Sequence, residues 1–250
     1  MTYSRRDEEG GVIQPSITAP MAVIMAGGRG QRLRPLTDKV PKPLLRVGGT
    51  PIIERIIASL ASAGIEDVFL AVNYKAEAFE ERLGDGERLG VTITYLHERT
   101  PLGTAGPLSL LPQGMDRSLL VMNADIMTRL EFSKLFAFHR QHGEAGTVAA
   151  VEYVARVPYA VVRTEDSLLT GIEEKPSQPV LCNAGIYVLE PSVLPLIPRD
   201  TMVDMPDLLE KVLADGQRVH VYAMRDKWFD IGSPEDFEHV LLEFATGEEE

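Results

Sequence analysis

The sequence predicts an α/β protein built on a wound, mainly parallel sheet flanked by helices. Two observations carry this: the run Met21-Ala22-Val23-Ile24-Met25 is apolar at every position, and strand-like and helix-like segments alternate behind it. A strand covered on both faces of a parallel sheet needs no polar side, and strands alternating with helical patterns argue for a wound sheet. With 250 residues, 44% of them hydrophobic, the chain can bury one large core, so a single domain is expected.

The elements follow in order. Residues 21–25 form the first strand. Pro51 opens a helix whose Ile52, Ile53, Ile56, Ile57 and Leu60 share one face, and Gly64 ends it. Residues 68–72 make the next strand, 76–83 a second helix, and 91–96 and 119–122 two further strands. The last of these delivers Asn123 and Asp125 to its carboxyl end, the edge where ligands collect in open α/β sheets. From Thr147 to Tyr187 the pattern shifts to short strands with turns, and residues 204–214 and 234–244 read as helices. Ser233 is the natural N-cap of the last helix with Pro234 at its first position, so capping does not account for Asp230. Residues 1–20 are expected to be a flexible N-terminal segment, 21–244 the folded domain, and 245–250 an acidic tail.

Charge and cysteine usage narrow the function classes. A formal net charge of −12 disfavours nonspecific attraction to nucleic acid or anionic membrane, so neither is expected as a partner. Cys182 is the only cysteine, which excludes an intrachain disulfide and points to a reducing compartment. No apolar stretch has the length to span a bilayer, and residues 1–20 carry Arg5, Arg6, Asp7, Glu8 and Glu9 instead of a signal-peptide core. A cytoplasmic location is expected.

The stretch that carries chemistry begins where the first strand ends, at Ala26-Gly27-Gly28-Arg29-Gly30-Gln31-Arg32-Leu33-Arg34-Pro35-Leu36-Thr37, and closes with Pro41-Lys42-Pro43. Gly27, Gly28 and Gly30 can turn successive N–H groups into one concave surface suited to an anion. Arg32, Arg34 and Lys42 add fixed positive charge. Two familiar glycine-rich loops are excluded by spacing: a dinucleotide fingerprint from Gly28 would need glycine at Leu33, and a P-loop would need Gly-Lys-Ser/Thr.

This string resembles the signature of the sugar-1-phosphate nucleotidyltransferases, the NDP-sugar pyrophosphorylases, and the resemblance runs from about Met21 to about Phe244. Six further segments match in family order: Asn73-Tyr74-Lys75, Pro101-Leu102-Gly103-Thr104-Ala105-Gly106, Asn123-Ala124-Asp125, Glu173-Glu174-Lys175-Pro176, Asn183-Ala184-Gly185-Ile186-Tyr187 and Trp228-Phe229-Asp230-Ile231-Gly232. The resemblance implies a Rossmann-like sheet of the nucleotide-diphospho-sugar transferase type, as one domain without a C-terminal β-helix. It implies that Ala26, Gly27, Gly28, Gly30 and Gln31 cradle the nucleotide, with Asn73, Gly103 and Thr104 at the base. Arg32 and Lys42 would hold the triphosphate, and Asp125 and Asp230 would share one Mg²⁺, these four being the catalytic set. Ala160, Glu174, Lys175 and Asn183 would meet the sugar 1-phosphate. Three positions depart from the pattern: Gln31 stands where threonine is usual, Ala124 where glycine is common, and Ala160 where glycine often approaches the sugar.

The implied reaction joins a nucleoside triphosphate to a sugar 1-phosphate and releases pyrophosphate. A phosphate monoester with a second pKa of about 6 is already largely dianionic near neutrality, so the attacking group needs no general base. Alignment and charge neutralisation are what two repelling anions require. The string Leu102-Gly103-Thr104-Ala105-Gly106-Pro107 and the segments 72–77 and 204–208 resemble the guanylyltransferase branch acting on mannose or glucosamine 1-phosphate, so GTP is the favoured nucleotide. The same reaction with dTTP, UTP or CTP, and a catalytically silent sugar-nucleotide sensor, are the alternatives; a homo-oligomer stays open.

Overall fold

The structure is a computed structural model that describes residues 20–245; the expectations for the N-terminal segment and the acidic tail fall, apart from Pro20 and Ala245, outside the described residues. The chain begins with β1 (Met21–Met25), a short hairpin of β2 (Arg46–Val47) and β3 (Thr50–Pro51), α1 (Ile52–Ser62), β4 (Asp67–Val72), α2 (Ala76–Leu83) and β5 (Thr92–His97). It continues through β6 (Leu119–Asn123), β7 (Ile126–Thr128), α3 (Phe132–His142), β8 (Gly146–Arg156), β9 (Val161–Glu165), β10 (Leu168–Glu173) and β11 (Ser177–Leu189). It ends with α4 (Met205–Ala214), β12 (Val219–Met224), β13 (Trp228–Asp230) and α5 (Pro234–Ala245).

Seven strands form the main sheet in the order β12-β8-β11-β6-β1-β4-β5. β1 pairs in parallel with β4 and β6, β4 with β5, and β12 with β8. Only β11 runs against its neighbours, antiparallel to both β6 and β8. The all-apolar β1 is explained by its place: Ala22 and Ile24 enter one core with α1, α2, α3 and α5, while Met21 and Val23 enter a second core with α4. The sheet is thus the middle of three layers.

Helix α1 shows how sequence sets these elements. Ile52, Ile53, Ile56, Ile57 and Leu60 are buried on one stripe. Its end is a Schellman motif: Gly64, at φ +84°, donates to Ala61 O, and Ile65 N–H donates to Leu60 O at 3.1 Å, with both hydrophobes buried. Pro51 corrects the sequence reading, because it lies outside the helix as its cap and pairs with Arg46 in the hairpin. Helix α5 starts as expected. Ser233 Oγ accepts from Asp236 N–H at 3.2 Å, and Asp236 Oδ2 accepts from Ser233 N–H at 2.7 Å, a reciprocal capping box.

Three further corrections concern the second half. Residues 147–187 are not a run of short strands: β8 and β11 span 11 and 13 residues and pair along their length, with the β9–β10 hairpin at their far end. Helix α3 and strand β12 have no counterpart in the sequence reading. α3 buries Phe132, Leu135, Phe136 and His139, and the polar fourth member breaks the apolar stripe that reading relied on.

Candidate active site

The turn after β1 is held from both sides. Ala26 N–H donates to Ala71 O at 2.9 Å, and Thr37 Oγ1 donates to Gly30 O at 2.8 Å. Gly30 has φ +58° and precedes a single 3₁₀ turn over Gln31–Leu33; a Cβ there would lie 3.0 Å from Thr37 Cγ2 and 3.1 Å from Lys42 Cβ. Glycine is therefore required at position 30 for conformation and for the approach of Lys42. Pro41 and Pro43 flank Lys42 in a second 3₁₀ turn, Lys42–Leu44, which turns Lys42 inward until only 8% of the residue is exposed.

Lys42 Nζ meets Asp125 Oδ2 at 2.6 Å. Asp125 sits between β6 and β7, where Ala124 N–H donates to Met25 O and Asp125 O accepts from Ile231 N–H at 3.1 Å. Because β7 pairs with β13, Asp230 stands opposite Ile126, next to Asp125. Burial, reinforced by the Asp125 charge, pushes the Asp230 carboxyl above its ordinary value, while Lys42 and Arg32 pull it back. Asp125 Oδ1 is buried and has no hydrogen-bond partner. An unpaired buried carboxylate oxygen is costly unless something cationic completes it. Two carboxylates with one oxygen left unsatisfied fit a hard divalent cation that takes its remaining ligands from phosphate and water.

Around this pair lies a cavity of about 340 Å³ lined by Met25, Ala26, Gly28, Gly30, Gln31, Arg32, Leu33, Lys42, Pro43, Ala124, Asp125 and Gly232. Arg32 packs on Gly232, where an added Cβ would lie 3.3 Å from Nη1. The cavity thus gathers seven of the residues singled out in the sequence, Ala26, Gly28, Gly30, Gln31, Arg32, Lys42 and Asp125, with Gly27 and Asp230 adjoining.

The other candidates stand apart. Gly103, at φ +79°, presses on Val203 and Asp204, and both Thr104 groups engage Asp204 Oδ1, N–H at 3.1 Å and hydroxyl at 3.3 Å, while Thr104 Oγ1 accepts from Met205 N–H at 2.8 Å. Their groups are committed to anchoring the start of α4. Asn183 is also engaged within the fold: Nδ2 donates to Tyr187 Oη at 2.7 Å, and Oδ1 accepts from Gly185 N–H at 2.9 Å. It holds a register shift in β11 that brings Gly185 against Asn123 and Ile126. Ala160, Glu174 and Lys175 are exposed, on the loops that join the β9–β10 hairpin to β8 and β11. Asn73 Nδ2 donates to the Glu98 carbonyl at 2.8 Å.

Glu98 is the residue the sequence reading missed. It follows β5, its Oε2 accepts from Leu102 N–H at 2.8 Å, and its Oε1 faces Gly27. Burial raises its pKa against the lowering effect of the Leu102 bond. No motif spacing marks a single glutamate after a strand.

The model of the family described as nucleotidyl transferase matches residues 21–246. The chain belongs to the nucleotidyl transferase family. Members generally use a divalent metal, in keeping with the paired aspartates. Among curated relatives, a mannose-1-phosphate guanyltransferase of Candida albicans is 38% identical over 225 residues, covering 86% of this chain and 62% of its own length. The mannose-1-phosphate guanylyltransferase catalytic subunit beta of Drosophila pseudoobscura pseudoobscura is 38% identical over 227 residues, covering 86% and 60%. The chain therefore spans about three fifths of these relatives. The solved structure of HddC from Yersinia pseudotuberculosis superposes with a TM-score of 0.71 at 23% identity, over 90% of this chain and 100% of that one, which shows the fold. No helix among the described residues is long and apolar enough to cross a membrane.

Proposed function

We propose that this chain transfers GMP from GTP to a sugar 1-phosphate, with mannose 1-phosphate as acceptor, giving a GDP-sugar and pyrophosphate. The observation that carries the reading is the pairing of a buried Lys42 with Asp125 at a glycine-walled cavity, with Asp230 beside it and one Asp125 oxygen unsatisfied. The choice of guanine and mannose is supported by the two guanylyltransferase relatives.

In this reading a non-bridging oxygen of the sugar phosphate attacks the α-phosphorus, a new P–O bond forms, and the bond to pyrophosphate breaks. The glycine loop presents N–H groups to the triphosphate, and Arg32 and Lys42 face the negative charge that builds on the leaving group. Asp125 and Asp230 would hold Mg²⁺, which when bound would supply charge neutralisation for the phosphates. Glu174, Lys175, Asn183 and Ala160 belong to the acceptor side, and Asn73, Gly103 and Thr104 border the base.

Pyrophosphate release measured over GTP, dTTP, UTP and CTP, each with several sugar 1-phosphates, tests this. Turnover led by GTP with mannose 1-phosphate is expected. Turnover led by another nucleotide would overturn the base assignment, and release with none would overturn the reaction.

A further inference from the structure

Gly232 lines the cavity between the end of β13 and the start of α5. Outside the adjoining residues, the three heavy atoms nearest to where its Cβ would stand are Arg32 Nη1 at 3.3 Å, Arg32 Nη2 at 3.4 Å and Asp236 Oδ2 at 3.4 Å. A guanidinium and a carboxylate thus border one vacant position. The φ of Gly232 is outside the left-handed region, so the backbone does not demand glycine there. What glycine secures is the open space between the two charges.

Asp236 is placed more firmly than a helix cap requires. A capping box needs one bond back to the Ser233 N–H. Asp236 Oδ2 accepts three: from Ser233 N–H at 2.7 Å, from Ser233 Oγ at 2.7 Å and from Gly232 N–H at 3.2 Å. These bonds aim the carboxylate at the open position, and its charge reaches as far as Asp230. Arg32, by contrast, makes no side-chain hydrogen bond or ion pair among the described residues. A long side chain so free loses rotamer entropy when it is fixed on a ligand, unless something holds it beforehand. Asp230 also attracts the fork, but in the reading above its charge goes to the metal. Asp236 is the negative charge that then faces Arg32.

We propose that Asp236 is the positioning residue for Arg32: across the gap at Gly232, its carboxylate holds the guanidinium fork at the cavity wall, where charge builds on the leaving pyrophosphate. This rests on the role given to Arg32 in the guanylyl reading.

A double-mutant cycle on Arg32→Met and Asp236→Asn tests it, read as kcat and as KM for GTP in pyrophosphate release with mannose 1-phosphate. Asparagine keeps an acceptor for Gly232 and Ser233, so the melting temperature should fall by no more than about 4 °C, the cost of one charge at a helix N-terminus. In the wild-type background Asp236→Asn should lower kcat about threefold to fivefold, the upper end of what an ion pair open to water supplies. KM for GTP should change little, because a loosened arginine still attracts the triphosphate but no longer meets it in line. In the Arg32→Met background the same substitution should lower kcat no further. Gly232→Ala adds no charge and fills the gap, so it should lower kcat as well. An equal fall in both backgrounds, or a wild-type kcat in Asp236→Asn, leaves Asp236 a helix cap alone and overturns the proposal while the guanylyl reading stands. A wild-type chain that releases no pyrophosphate from GTP, or an Arg32→Met variant with wild-type kcat, overturns the role given to Arg32 and the proposal with it.

Discussion

Lys42 is held by two prolines against Asp125, and its charge also lowers the pKa of Asp230. Removing it has two separable effects. Lys42→Met should cut kcat by on the order of 10²-fold with saturating nucleotide, as expected for losing one preorganised charge. It should also move the acid limb of the pH–rate profile upward, because Asp230 then feels the Asp125 charge without its counterweight. Asp230 gives a stability prediction with a definite sign. Its folded pKa is raised, so its contribution to stability is fully present below the ordinary value of 3.8 and is lost as pH rises through the folded pKa. Asp230→Asn should therefore leave the melting temperature at pH 7 equal to or above wild type, with the difference vanishing in acid, while abolishing most turnover. Thermal scans from pH 3 to 8 check the first point and pyrophosphate release the second.

At the level of elements, two anchors stand out. Gly103 meets Val203 O so closely that an added Cβ would lie 2.6 Å away, at a φ that L residues seldom adopt. Gly103→Ala should cost about 1–3 kcal/mol, read by urea denaturation, through strain and loss of the clamp on α4. Glu190, at the end of β11, accepts from His139 Nε2 at 2.9 Å and from Ser118 Oγ at 2.7 Å, joining α3 to the entry of β6. The His139 bond leads the causes that lower its pKa, so its contribution is present above the unfolded carboxylate range and lost as pH falls through the depressed value. Glu190→Gln should destabilise by about 1–3 kcal/mol at pH 7 and much less in acid. These contacts also mark where sequence ceased to be legible. β1 and α2 were readable to the residue because a continuous apolar run and a helical stripe each state their environment locally. α3 was not, since its His139 is buried only because Thr147 and Glu190 arrive from β8 and the end of β11 to satisfy it. The glycine loop and the two aspartates could be named from motif order, whereas Glu98 became meaningful only when β5 was laid beside β4, bringing it over Gly27.

Over the whole molecule, burial is uneven. The main sheet is buried through β1, β4 and β6, while the far halves of β8 and β11, the β9–β10 hairpin and the loop leading into it expose Tyr153, Tyr159, Leu168, Leu169, Ile172 and Leu181. A two-stranded ribbon with little cover is marginal by itself. Amides 153–181 should exchange with deuterium well before those of β1 and β6, and equal protection would show that something covers the ribbon in solution. Val157 N–H bonds Pro176 O at 3.0 Å, so the ribbon can be shortened there. A chain with 158–175 replaced by a two-residue turn should keep its melting temperature within a few degrees yet lose use of the sugar 1-phosphate, separating the nucleotide half of the site from the acceptor half. The clip between β7 and β13 has a consequence in time. Lys42 and the glycine loop come first, Asp125 follows 83 residues after Lys42, and Asp230 arrives a further 105 residues on (230 − 125). As the chain leaves the ribosome, the first strands can already pair while Asp230 is still unmade. The polypeptide thus passes through a stage in which it holds its phosphate loop without the second carboxylate, and competence for chemistry switches on only after Asp230 has joined β7 through β13.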